Sequence, residues 1–266
     1  MASVRARVAV ALGVVLAGGV AAGVVAARLR APRVERIACI GDSITEGVVG
    51  FAAKTGIEHD PGGGYPGRLH GKLGGAVEVF NFGVGGTTSQ LWLMSPRVPY
   101  GARRRTSWTL LRERQPELPL ADEPPAQATS LVEAALASVH PQIAILLLGT
   151  NDIALAWDLG LGDPTTPAFA DYLIERLVAL RAAAARQARV VLIGDLLPDE
   201  RSPGTVRETI NARIAERFPD YLPLARAFEA AGPKNLLADR VHPNAAGYEL
   251  LAETIVAELR ARGLIR

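Results

Sequence analysis

The sequence predicts an α/β domain, a parallel sheet with helices on both faces. Three observations carry that expectation. Gln142-Ile143-Ala144-Ile145-Leu146-Leu147-Leu148 is a near-continuous apolar run, as expected of a strand covered on both faces. Such runs alternate along the chain with segments of helical period, which implies parallel strands joined by right-handed crossovers. Two of the runs stop at small polar turns, Gly41-Asp42-Ser43 and Gly149-Thr150-Asn151-Asp152, and open α/β sheets bind ligands at the carboxyl ends of their strands. At 49% hydrophobic and 21% charged over 266 residues, the chain can bury a substantial core and is not disordered.

The chain opens with Arg5 and Arg7, an uncharged run of twenty residues at 8–27, and then Arg28 and Arg30. Twenty residues at about 1.5 Å each span a bilayer as a helix. Residues 1–30 are therefore expected to be a transmembrane anchor or an export signal. Small residues at Val25-Ala26-Ala27 leave cleavage open. Either way the following domain, 31–266, is expected at the membrane or beyond it, in the cell envelope or outside. Arginines on both flanks leave the orientation open.

The first strand is expected at 37–40 and contains Cys39, the only cysteine. A lone cysteine forms no intramolecular disulfide. Between apolar neighbours it reads as a small buried hydrophobe rather than a nucleophile. Residues 48–66 hold many Gly and Pro and read as an irregular loop, with a short helix after it at 65–73. The second strand is expected at 76–82. It ends in Gly83-Val84-Gly85-Gly86-Thr87, which lacks the Gly-Lys-Ser/Thr of a phosphate-binding loop. Glycines there let a backbone N–H approach a ligand, or simply make a tight turn.

Residues 93–125 break the pattern with six prolines and with Arg97, Arg103, Arg104, Arg105, Arg112 and Arg114. This stretch reads as a structureless insertion, either near the site entrance or solvated, with anionic lipid as another possible contact of its arginines. Helices are expected at 126–139 and 169–187 and around Val206, Ile210 and Ile214, with strands at 189–193 and 221–224. The final helix begins after Asn244, a good N-cap, with Leu251, Ile255 and Leu259 on its apolar face. A net charge of +2 with scattered arginines argues against nucleic acid as a partner.

Four turns each offer a chemical group. Ser43 is the candidate nucleophile, and a hydroxyl is weak until a base takes its proton. His242 is the candidate base, and Asp239, three residues earlier, can reach its imidazole to fix the tautomer. Candidate oxyanion donors are the N–H groups of Ser43 and Gly86 and the amide of Asn151. His59, His70 and His140 lack an aspartate at this spacing. Glu58-His59-Asp60 has metal-ligand residue types, but adjacent loop residues make a poor chelate.

These blocks resemble the SGNH/GDSL hydrolase superfamily of esterases and lipases. Gly41-Asp42-Ser43 resembles its first block, Asn81-Phe82-Gly83-Val84-Gly85-Gly86 its second, Gly149-Thr150-Asn151-Asp152 its third and Asp239-Arg240-Val241-His242-Pro243 its fifth. The resemblance spans about 34–262. It implies a flavodoxin-like, three-layer α/β/α fold with a five-stranded parallel sheet. It also implies hydrolysis of a small-molecule, glycan or lipid ester through an acyl-enzyme, with no cofactor or metal. Acyl transfer to a sugar hydroxyl and a non-catalytic binding module are the other readings of the same positions.

Overall fold

The computed structural model describes residues 34–52, 56–100, 105–200 and 204–266. The apolar run at 8–27, and Arg103 and Arg104 of the insertion, lie outside them. Among the described residues no helix is long and apolar enough to cross a membrane.

Four strands form the main sheet: β1 (Arg36–Gly41), β4 (Glu78–Gly83), β7 (Ile143–Leu147) and β8 (Val190–Ile193). Their order is β4-β1-β7-β8 and every pairing is parallel. Cys39 lies opposite Asn81 on one side and Ile145 on the other. The chain runs from β1 to β4 on one flank and then crosses to β7 on the other. That reversal beside β1 is the switch point at which such sheets open a crevice.

Alternate residues of each strand face opposite layers. Ala38, Ile40, Ala144, Leu146, Val191 and Ile193 belong to one core cluster. Against it pack α3 (Ser89–Leu93), α4 (Ser107–Arg114), α5 (Leu131–Val139), α7 (Pro167–Ala184) and α8 (Gly204–Arg217). Ile37, Cys39, Ile143, Ile145, Leu147 and Leu192 form the other, under α2 (Gly64–Lys72), α9 (Leu224–Ala231) and α10 (Ala245–Ala261). The result is the expected three layers. Cys39 is fully buried, and burial pushes its thiol up to about 12, so it is the packing residue and not a nucleophile.

The structure corrects three details. The fifth strand expected at 221–224 shrinks to a single parallel bridge between Leu222 and Gly194. Pro223 follows directly and has no N–H with which to extend the ladder. The loop at 48–66 contains an antiparallel hairpin, β2 (Val48–Ala52) with β3 (Gly56–His59). The insertion is not structureless either. A two-residue ladder, β5 (Pro99–Tyr100) with β6 (Arg105–Thr106), leads into α4. Thr106 caps that helix by accepting from the Thr109 N–H, and Trp108 and Leu111 enter the core.

Candidate active site

Ser43 is the first residue of α1 (Ser43–Glu46), a single turn directly after β1. The Asp42 carboxylate caps the turn by accepting from the Ile44 N–H at 2.9 Å. Gly47, with φ of 95°, ends it in the left-handed region, where a Cβ would be strained. As the first helical residue, Ser43 has an N–H with no intrahelical acceptor.

His242 arrives from the other end of the chain. It sits in a loop held by the Ala238 N–H donating to the His242 carbonyl and the Asn244 N–H donating to the Leu236 carbonyl, both at 2.8 Å. Asn244 then caps α10. This places His242 Nε2 at 3.0 Å from Ser43 Oγ, across 199 residues. On its far side, Nδ1 lies 2.7 Å from Asp239 Oδ2. Asp239 Oδ1 accepts from the N–H groups of Val241 and His242, both at 2.7 Å. Burial alone would raise the Asp239 carboxyl. The bonds from the imidazole and the two backbone groups outweigh it, so the group lies below the usual aspartate range. The order Asp239–His242–Ser43 is thus one continuous hydrogen-bonded line.

The other candidates come from the neighbouring strand ends. Gly86 follows β4 with φ of 78°, a conformation in which glycine carries little strain. Gly85 lies beside the serine: a Cβ built on it would be 3.5 Å from the Ser43 Cβ. Asn151, in α6 (Thr150–Ala154) after β7, donates one Nδ2 hydrogen to the Thr87 carbonyl at 3.0 Å. An amide carries a second donor. Asp152 points elsewhere, accepting from the N–H and Oγ of Ser89. Burial raises its pKa, and its contacts join α6 to α3.

The remaining histidines stay apart from Ser43. His70 Nδ1 meets the Val77 carbonyl, and His140 ends α5 with φ of 47°. His59 meets Glu46, while Asp60 is buried against Arg68 and the Gly64 N–H. Glu58-His59-Asp60 is therefore split among different partners, and among the described residues no acid–histidine–cysteine group could hold a metal. Two neighbours of the site have no sequence signal of their own. Phe51 of the hairpin, 67% exposed, sets its ring edge-on to the His242 imidazole at 5.6 Å. Glu46, buried, pairs with Arg114 from the insertion.

The family model of GDSL-like lipases and acylhydrolases matches residues 39–250, which includes every group in this site. The chain belongs to the GDSL-like lipase/acylhydrolase family. Solved structures agree with the fold of this GDSL hydrolase. An acetylxylan esterase from Geobacillus stearothermophilus is 20% identical, over 86% of this chain and 96% of its own, with a TM-score of 0.52. A carbohydrate acetylesterase from Sinorhizobium meliloti is 17% identical, over 86% and 99%, with a TM-score of 0.54. A lipolytic G-D-S-L protein from Veillonella parvula is 19% identical, over 84% and 97%, with a TM-score of 0.51. No curated protein matches the chain in sequence.

Proposed function

We propose that this GDSL hydrolase is a serine esterase working through Ser43, His242 and Asp239. Ser43 Oγ attacks the ester carbonyl as its proton passes to His242 Nε2. Asp239 holds Nδ1–H and stabilises the imidazolium. The N–H groups of Ser43 and Gly86 and the second Asn151 hydrogen receive the oxyanion. Collapse of the tetrahedral species expels the alcohol, which takes the proton back from His242. Water then enters by the same route in reverse and releases the acid. The observation that supports this reading is the unbroken Asp239–His242–Ser43 line, with contacts of 2.7 and 3.0 Å.

As substrate we propose a short acyl ester of a carbohydrate. Two of the similar structures are named as esterases of that kind. As location we propose the cell envelope or exterior, on the apolar run at 8–27. N-terminal sequencing of the mature chain separates a cleaved signal from a retained anchor. The chemistry is tested by comparing the protein with Ser43→Ala on chromogenic esters from acetyl upward. Hydrolysis is expected to be fastest on acetyl and absent in the variant. Full activity in Ser43→Ala would overturn the mechanism, and a preference for long acyl chains would overturn the substrate.

A further inference from the structure

Gly85 and Gly86, beside the nucleophile, have no side chain with which to hold their own geometry. Oxyanion donors work only when they are fixed in advance. The segment around them is fastened at three points, two of them from outside the turn. Gln115 Nε2 donates to the Gly83 carbonyl at 2.5 Å. Thr87 Oγ1 donates to the Val84 carbonyl at 2.7 Å. Between these, the Gly85 N–H donates to Glu46 Oε2 at 2.5 Å. Gly85 is the residue before Gly86, so its bond steers the peptide whose N–H is aimed at the oxyanion.

Glu46 is an unusual holder. Its side chain is only 3% exposed, and a buried carboxylate is costly unless it is paired and hydrogen-bonded. Arg114 supplies the pairing, with Nε at 3.1 Å and Nη2 at 2.5 Å from Oε1. His59 Nε2 meets the same oxygen at 2.9 Å. Glu46 also stands at the end of the one-turn helix that begins with Ser43. One carboxylate thereby ties the nucleophile's helix to the oxyanion turn, and a guanidinium from the insertion sets that carboxylate. Arg114 and Gln115 are adjacent, so the end of α4 grips the turn twice.

We infer that Glu46 and Arg114 are positioning residues for the oxyanion donors, and that this is what the 93–125 insertion contributes to catalysis. The inference rests on the serine-esterase reading of the site. Arg114 orients Glu46, Glu46 holds Gly85, and Gly85 aims Gly86. Gln at 46 offers one acceptor where the carboxylate offers two. Either the Gly85 N–H or Arg114 then faces an amide NH2 instead of an oxygen.

The test compares the full chain with Glu46→Gln, Arg114→Gln, Arg114→Lys, the double variant Glu46→Gln/Arg114→Gln, and Ser43→Ala. Each is assayed on p-nitrophenyl acetate and against a methyl trifluoromethyl ketone, which adds to a nucleophilic serine as a tetrahedral oxyanion. Thermal melting checks folding, and the double variant, which removes the buried charge together with its partner, provides a folded comparison if a single variant leaves one of them unpaired and does not fold. Misplacing one oxyanion donor is expected to lower kcat by about 10–100-fold with KM held within about threefold. The ketone's Ki should rise in the same proportion. The pH midpoint of kcat/KM should stay in place, because the base is untouched. The double variant should be no worse than its worse parent, and Arg114→Lys should recover only part of the loss. An inactive Ser43→Ala beside folded Glu46→Gln and Arg114→Gln variants with kcat and ketone Ki within about threefold of the parent would overturn the inference alone. Turnover retained in Ser43→Ala would overturn the catalytic reading and this inference with it.

Discussion

Asp239→Asn is the most informative substitution, because the two carboxylate oxygens have separate tasks. Oδ1 takes the backbone N–H groups of Val241 and His242, and Oδ2 takes the imidazole. Asparagine has one carbonyl oxygen for both. If that oxygen keeps the backbone, the NH2 group faces His242 Nδ1. The imidazole then carries its proton on Nε2 and cannot accept one from Ser43. If the amide flips, two backbone bonds are lost at about 1 kcal/mol each. About 2 kcal/mol leaves roughly one molecule in thirty in the competent state. The negative charge beside the imidazolium is lost as well. At an effective dielectric of about 20 it would be worth about 4 kcal/mol at 4 Å. The Asp239 side chain is 36% exposed, and solvent screening brings that to about 1–2 kcal/mol. The sum is about 3–4 kcal/mol, a fall of about 10²–10³-fold in kcat/KM. The assay is ester hydrolysis at neutral pH alongside a melting curve. A folded variant that loses less than about tenfold would refute this division of labour.

Other outcomes follow from neighbouring contacts. Asn151→Ala removes a proposed oxyanion donor, so kcat should fall by about 10²–10³-fold with KM little changed; a rise in KM alone would assign Asn151 to ground-state binding. Gly83→Ala would place a Cβ 2.0 Å from the Glu46 nitrogen and 2.4 Å from the Thr45 carbonyl carbon. Backbone there has nowhere to go, so urea unfolding should show a loss of about 3 kcal/mol or more, and a loss below about 1 kcal/mol would contradict the contact. Asp195 is raised from 3.8 to about 6, chiefly by burial. Between those two values the folded state keeps a proton that the unfolded chain has released, so stability falls as pH rises through the window and levels off above it. The full shift corresponds to about 3 kcal/mol. Asp195→Asn should flatten that fall in urea midpoints from pH 4 to 7, and parallel curves would reject it.

The sheet was legible because buried parallel strands are apolar on both faces, as residues 143–147 and 190–193 are. The hydrogen-bonded line of Asp239, His242 and Ser43 was legible because its members sit in short local patterns, Gly-Asp-Ser at a strand end and Asp-x-x-His before a capped helix. The hairpin at 48–59 escaped because its second strand, GIEH, is mostly exposed and carries no apolar alternation. Helix α4 escaped because prolines on both sides of it masked eight residues whose buried members are only Ser107, Trp108 and Leu111. The Glu46–Arg114 pair had no local trace: its members are 68 residues apart, and opposite charges are too common in a sequence for one pairing to stand out. Long-range polar contacts are where folding adds information that local patterns do not hold.

The distance along the chain between Ser43 and His242 also has a temporal meaning. Ser43 and His242 are 199 residues apart. At roughly 5–20 residues per second, a ribosome makes the serine about 10–40 s before the histidine. Through that interval β1 can find β4 and β7 in turn, yet the hydroxyl has no proton acceptor. His242 is only two residues from the cap of α10, the helix that packs under the sheet through Leu251, Ile255 and Leu259. On the proposed mechanism, nascent chains are therefore chemically silent, and hydrolysis begins only as that helix docks.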